Sequence, residues 1–430
     1  MQSLNIRLRT LTPIWTGGAA GVMDRVHETG LIGSLRWWYE AIVRGVGGWA
    51  CDPTDETTRC EFDNSKYAAM KRSGVAGTTA VAAELRNVCP VCFIFGCGGW
   101  RRSFQLDAPE LPRVPLHFRT TGGKPQREWL GRIFGGKKLQ DTDQKTTYSI
   151  DDLTVTYFTG EQSINLVLRG PDNGYVQGQL SGLLDFIARF GALGARIQHG
   201  FGQVAFAGLS DNPNRLAPWI AGMRGLQAKI ASGRLRAQGP PQDGAAIFDL
   251  QRFFILFYSL EQRKLDPYLD QQTHYGDRRK LDERRYVPCA FDLRYKGDSK
   301  AASEAGGMVG LRRWLKERQG WTETDSTDHL EELDLWLGPR AQWGRGNAEQ
   351  RLPDGLRTAA RVFFGMPYRQ DGVYQLRIFG FVPEGHPKLE TVGDGASLVE
   401  EYMQQLFGVA AERKRLGSEI LAEAWLQVAG

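Results

Sequence analysis

An α+β protein of two domains is the fold class this sequence predicts, on three observations. Segments of strand-like alternation are interspersed with segments of helical period, and their spacing is not that of regular strand–helix–strand repeats. The 430 residues exceed what one hydrophobic core usually organises. A Gly239-Pro240-Pro241 break is followed by a fresh, strongly apolar strand, which sets the boundary. The expected units are an N-terminal domain over residues 1–210, a helix and linker over 211–245, and a C-terminal domain over 246–430.

Taken in order, Leu4, Ile6 and Leu8 alternate with Asn5, Arg7 and Arg9, a first strand ended by Thr12-Pro13. A glycine-rich loop, Trp15 to Gly21, leads to a helix expected from about Gly33 to Val46 and closed by Gly47-Gly48. Residues 49–97 read as an irregular insertion holding five of the six cysteines. Arg113 to Lys138 is basic and loop-like. Leu153–Tyr157 and Ile164–Arg169 suggest a hairpin about Gly160, and Leu180–Phe190 has helical spacing. A second glycine-rich loop, Gly191–Gly202, runs into a strand. Beyond the linker come a strand over Phe248–Leu260, a helix at Gly310–Leu315, a strand over Tyr374–Phe381 and a helix over Leu398–Val428. The wording of Gly310–Leu315 repeats that of Gly33–Trp38 in short, which leaves an internal duplication open.

Composition narrows the class. A 41% hydrophobic and 24% charged chain is ordinary for a soluble globular protein. Its 52 glycines lack a collagen-like period and imply tight turns and close backbone approach. A net charge of +5 permits a polyanionic partner. No run of about 18 apolar residues would cross a membrane, and the N-terminus has no apolar signal core. A cytoplasmic location is expected, where cysteines are thiols or metal ligands rather than disulfides.

Cys89-Pro90-Val91-Cys92 is a CxxC, a spacing that lets two thiolates of one turn reach a tetrahedral zinc. Cys51 and Cys60 would complete a structural site, leaving Cys97 spare. The alternatives are buried thiols or a redox pair, but a redox CxxC opens a helix, and this one is expected to run irregularly into Phe93-Ile94-Phe95-Gly96. No HxE or HExxH supports a catalytic zinc. The Gly191–Gly202 loop lacks the GK[ST] of a P-loop, so Gly194, Arg196, His199, Gly200 and Gly202 suit a nucleic-acid phosphate better than a nucleotide cofactor; the alternative is a tight connection before a strand. Arg36, beside Gly33 and Ser34 at the expected helix start, is a phosphate candidate. Trp37 and Trp38 diverge by about 100°, so at least one packs in the core. Arg101 and Arg102, with the run through Lys124, Arg127, Arg132, Lys137 and Lys138, have an RNA-binding texture that a solvated basic face would share. Asp24, His27 and His199 are reserve catalytic residues for an endoribonuclease; no Ser/His/Asp order stands out.

Four pieces in this order resemble the RAMP superfamily of CRISPR RNA-guided effector proteins. They are Leu11-Thr12-Pro13 with Thr16-Gly17-Gly18; Ile32 to Trp38; Cys89 to Gly96 with Arg101 to Phe104; and Leu193-Gly194-Ala195-Arg196 with Gly200-Phe201-Gly202. The wording is most similar to the first Cmr subunit (Cmr1 family) of type III-B complexes. The resemblance implies two tandem ferredoxin-like (RRM-type) domains with a zinc-containing insertion in the first. It implies a subunit holding the 3′ part of a guide RNA, in contact with target RNA and other RAMP subunits. On that basis Gly17, Gly18, Gly33, Ser34, Arg36 and the Gly194–Gly202 loop contact RNA. The chain departs from the family at Glu40, Gln198 and His199, where basic residues are common, and Asp24 is the nearest match to the aspartate of RNA-cutting relatives. Three readings follow: a non-catalytic RNA-binding subunit, an endoribonuclease, and a zinc-stabilised interaction module.

Overall fold

Ile6 and Leu8 are buried and Arg7 and Arg9 exposed along β1 (Ser3–Thr10), so the alternation sets one face of a sheet against a core. The computed structural model describes residues 3–16, 25–107, 113–115, 137–139, 147–149, 154–156, 161–170, 172–207, 217–244, 246–265, 289–295, 309–323, 330–338 and 359–426. After β1 come α1 (Glu28–Gly45), α2 (Asn64–Arg72), α3 (Gly77–Leu85), α4 (Pro90–Phe95), β2 (Phe104–Asp107), β3 (Arg113–Pro115), β4 (Lys137–Leu139), β5 (Thr147–Ser149), β6 (Thr154–Thr156), β7 (Glu161–Leu168), α5 (Asn173–Phe190), β8 (Val204–Ala207) and α6 (Ala217–Ala231). The second half has β9 (Phe253–Leu260), α7 (Ala290–Tyr295), α8 (Leu311–Arg318), α9 (Glu332–Leu337), β10 (Val362–Phe364), β11 (Tyr368–Gln370), β12 (Val373–Phe381), α10 (Val392–Phe407), β13 (Arg413–Leu416) and α11 (Gly417–Leu426).

Two antiparallel sheets organise the chain. The first has the order β2-β7-β1-β8, the second β10-β12-β9-β13, with β11 also on β12. Numbered within each half, both orders are second, third, first, fourth strand. Both halves also place a helix after the first strand and another after the third: α1 and α5 in one, α8 and α10 in the other. The resembling stretches at Leu35 and Leu311 thus occupy equivalent crossover positions.

The halves share a core. Trp38 is fully buried, with ring centroids 5.4 Å from Phe186, 6.1 Å from Phe253 and 5.4 Å from Phe379. Trp37 packs on Phe248 at 4.9 Å and Phe381 at 5.8 Å. The aromatic run of α1 is therefore the seam between the sheets. A second core lies behind the other face of β9, around Phe254, Leu256, Tyr258 and Tyr402. The helix α6 joins the two halves within the first core: Gly182 and Gly222 let it approach α5, and Trp219 donates 3.1 Å to the Ile420 carbonyl. Among the described residues no helix is long and apolar enough to cross a membrane.

Several boundaries differ from the sequence reading. The helix α1 starts at Glu28, because Leu31, Leu35, Trp38 and Ile42 form one buried stripe that outweighs two glycines. The irregular insertion holds three short helices, the first capped by Asp63. The expected hairpin does not form: β6 pairs with β3, whereas β7 pairs with β1 and β2. The terminal helix is two helices, because Gly408 in the left-handed region ends α10 and Arg413–Leu416 pairs with β9.

Candidate functional site

Four cysteines converge at the base of the insertion. Cys51 follows the turn after α1, Cys60 precedes α2, and Cys89 and Cys92 lie at the start of α4. All four are buried, and their sulfurs lie within 4.8 Å of one another, with Cys51–Cys92 at 3.4 Å and Cys51–Cys89 at 4.0 Å. A tetrahedral zinc with ligands near 2.3 Å needs sulfurs about 3.8 Å apart, so the donor set fits a metal ion. Backbone amides already point at it: Cys89 N donates to Cys60 Sγ and Cys92 N to Cys89 Sγ, at 3.3 and 3.4 Å. Burial pushes the Cys89 thiol well up, so four thiolates cannot coexist here without a cation. Cys89 caps α4, so this CxxC does open a helix, contrary to expectation. The neighbouring pair of thiols, rather than the lack of a helix, is what separates it from a redox motif.

Arg36 belongs to this centre. Its Nη2 lies 3.5 Å from Cys92 Sγ and 4.0 Å from Cys51 Sγ, Nη1 donates to the Gly96 carbonyl at 3.2 Å, and Nε meets Glu40 Oε1 at 2.9 Å. Burial works against its charge, but Cys92 and Glu40 more than offset it. About two turns on, Arg44 donates to the Ala50 carbonyl, next to Cys51. The stripe Arg36, Glu40, Arg44 thus fastens α1 to the insertion. Gly33 is exposed and Ser34 half-buried, and both lie inside α1, where the helix itself uses their amides.

The Gly191–Gly202 loop is stitched to residues 11–16. Gly202 donates to the Pro13 carbonyl at 2.7 Å, Ala195 to Trp15 at 2.7 Å, and Leu193 to Gly202 at 2.8 Å. Gly194 and Gly202 have φ of +90° and +81°, and a Cβ at Gly202 would sit 1.9 Å from the Leu193 carbonyl oxygen. These glycines serve the chain's own close approach. Arg196 lies over the Trp15 ring at 4.7 Å. Gly200 touches Met366, and Gln203 Nε2 donates to the Met366 carbonyl at 2.8 Å, so the loop sits against the second half. Burial, with Arg294 and Arg196 nearby, pulls the His199 pKa down to about 3, leaving a neutral ring that cannot serve as a general acid near pH 7. His27 is the N-cap residue of α1, its backbone N–H donating to Thr16 Oγ1 at 2.8 Å.

The loop and Arg36 do not meet. Trp38 Nε1 donates to the Ala192 carbonyl at 2.8 Å, and Arg36, two residues away, lies on the opposite side of the helix. Arg101 is exposed; Arg102 donates to the Phe104 carbonyl with its guanidinium 5.2 Å from that ring. Gly17, Gly18, Asp24, Lys124 and Arg127 lie outside the described residues. Sequence reasoning missed Glu40 as a partner of Arg36, although the i,i+4 spacing announced it. The Arg413-Lys414-Arg415 run, which the helical spacing over Leu398–Val428 places in a helix, is a strand on β9.

Two antiparallel sheets that share one strand order, with four buried thiols able to hold a metal ion under one crossover helix, define an α+β protein with a candidate metal centre. A model of the RAMP superfamily matches residues 7–205, the stretch that holds the first sheet, the cysteine centre and the glycine loop. Residues 7–205, just under half of the chain, are similar to that superfamily. No curated protein matches the chain. Among solved structures, Cmr1 from Pyrococcus furiosus in its apo form is 14% identical, with 92% of this chain and 93% of that one covered at a TM-score of 0.39. A chain of the type III-B Cmr-beta complex bound to cognate target RNA is 10% identical, covering 94% and 99%, at 0.41. The same kind of complex with AMPPnP and single-stranded DNA gives 11%, 94%, 99% and 0.37. At such distances function has to be read from the chain's own residues.

Proposed function

We propose that this chain is a guide-RNA-binding subunit of a type III, Cmr-type CRISPR RNA-guided effector complex acting in antiviral defence in the cytoplasm. It holds the 3′ part of the guide beside target RNA and neighbouring RAMP subunits, and it performs no catalysis. Its sheets are two tandem ferredoxin-like (RRM-type) domains, over residues 1–210 and 246–430, and the ion at Cys51, Cys60, Cys89 and Cys92 is a structural zinc. The observation that carries the reading is the superfamily match over residues 7–205, which takes in the quoted motifs together. The repeated strand order supports the domain assignment, and the four buried thiols support the zinc.

RNA contacts are assigned to Gly17, Gly18, Gly33, Ser34, Arg101, Arg102, Lys124, Arg127 and the Gly194–Gly202 loop with Arg196 and His199. Arg36 acts through the metal centre. The test is to isolate the tagged chain from its host, sequence the RNA and identify the proteins that accompany it, and then incubate it with labelled guide precursor and target. Guide RNA and RAMP subunits without cleavage are expected. Cleavage lost on Asp24→Ala or His27→Ala would establish an endoribonuclease instead, and absence of RNA would reduce the chain to an interaction module.

A further inference from the structure

The second sheet has an open corner. One face of β9 is covered by its own helices, around Phe254, Leu256 and Tyr258. On the other face Phe253 and Ile255 meet the α1 seam, and Phe257, next along that face, is only partly covered. There Arg377 of β12 and Arg413 of β13 both stand directly opposite Phe257 of β9, so the three form one cross-strand row. Arg413 is exposed, and its guanidinium lies 4.1 Å from the Phe257 ring centroid. Next along β13 on the same face is Arg415, and Arg189 reaches the corner from the end of α5, where Arg377 Nη1 donates to the Ala188 carbonyl at 2.7 Å.

The charges around Arg413 are unbalanced. Arg415 is held by Glu419 and Glu423, and Arg189 by Asp185. Arg377 lies over the Tyr368 ring. Arg413 has the ring beneath it and no carboxylate within ion-pair distance among the described residues. Burial, and then Arg415, Arg377 and Arg189 against the single acid Glu423, pull its pKa down. A cation in such surroundings is stabilised by an incoming anion. A guanidinium plane stacked on an aromatic ring also offers its outer side to a second flat group. Phosphates at one-nucleotide spacing and a base that can stack are both supplied by a single strand.

We infer that Phe257, Arg377 and Arg413, with Arg189 and Arg415 at the border, form a second contact surface for single-stranded RNA, on the sheet face of the C-terminal half beside the glycine loop. It rests on the reading of the chain as an RNA-binding subunit, and adds a half of the molecule to which the sequence motifs assign no contact. Arg377 and Arg413 take phosphates, and a base stacks on the Arg413 plane. The surface reads charge and stacking, not base sequence.

The test uses the full-length chain and a fluorescein-labelled single-stranded RNA of mixed sequence, with anisotropy measured over a salt series. Arg413→Ala is expected to weaken binding about tenfold and to lower the slope of log K against log salt by about 0.7, one single-strand phosphate. Arg413→Lys is expected to restore the slope while recovering the affinity only in part, since lysine keeps the charge and loses the plane. Thermal melts confirm that both variants fold, as an exposed position should allow. Wild-type affinity and slope in Arg413→Ala, with RNA still bound, would overturn this surface and leave the functional proposal standing. No RNA binding by the wild-type chain at low salt would overturn both.

Discussion

Replacing Arg36 with alanine should damage the metal centre before it touches any RNA contact. The guanidinium donates toward Cys92 and Cys51 and bridges to Glu40 and the Gly96 carbonyl. A zinc held by four thiolates carries a charge near −2, and Arg36 is the cation the structure sets beside it. Losing the hydrogen-bond partner of a metal ligand costs about 10–100-fold in metal affinity, or about 1.4–2.8 kcal/mol. The loss should fall toward the upper end, because Glu40, whose pKa burial already raises, would stand half-buried near Cys51 without Arg36. The assay is competition for zinc against a coloured chelator, with cobalt substitution to read the ligand field. The expected result is weaker zinc and a shifted cobalt spectrum in Arg36→Ala, with partial recovery in Arg36→Lys. Unchanged metal affinity together with a marked loss of RNA affinity would refute this placement and restore Arg36 as a phosphate contact.

Three further outcomes follow from single positions. Gly202→Ala forces a Cβ against the Leu193 carbonyl at a positive φ and should cost upwards of about 2 kcal/mol in urea denaturation, whereas Gly33→Ala, with open space around it in a helix, should gain about 0.5–1 kcal/mol; equal effects would contradict the two environments. Trp38→Ala should cost about 3–5 kcal/mol for the ring plus about 1–3 kcal/mol for the orphaned Ala192 carbonyl, with both halves unfolding together; two independent transitions in the wild-type chain would rule out the shared core. His199 has a folded-state pKa of about 3 against 6.5 unfolded, so the unfolded chain binds the extra proton between those values. Stability is then complete above pH 6.5 and falls on acidification by about 1.4 kcal/mol per unit toward pH 3, a slope that His199→Gln should flatten in denaturation midpoints.

Much of the first half was legible because its signals are local. Alternation gave β1, and the CxxC spacing picked out a cysteine set that the fold does bring together. The α+β class followed from mixed periods, and the wording shared by Leu35 and Leu311 hinted at the repeated topology. What failed depended on partners far along the chain. Whether residues 154–156 and 161–168 pair with each other or with distant strands is a tertiary choice that periodicity does not encode. The direction of Arg36 needed the position of Cys92, and the basic run at Arg413 looked helical until β9 claimed it. The glycines of Gly194–Gly202 suggested a phosphate cradle, yet glycine marks close approach of any backbone, and here much of that backbone is the chain's own.

The measurement that bears most directly on the proposed function is the binding of guide RNA by the purified full-length chain as a function of salt. The account predicts binding at low salt, a log–log slope equivalent to several phosphates, little dependence on base sequence, and intact RNA after prolonged incubation. Binding that is absent at low salt, or insensitive to salt, or accompanied by cleavage would contradict it.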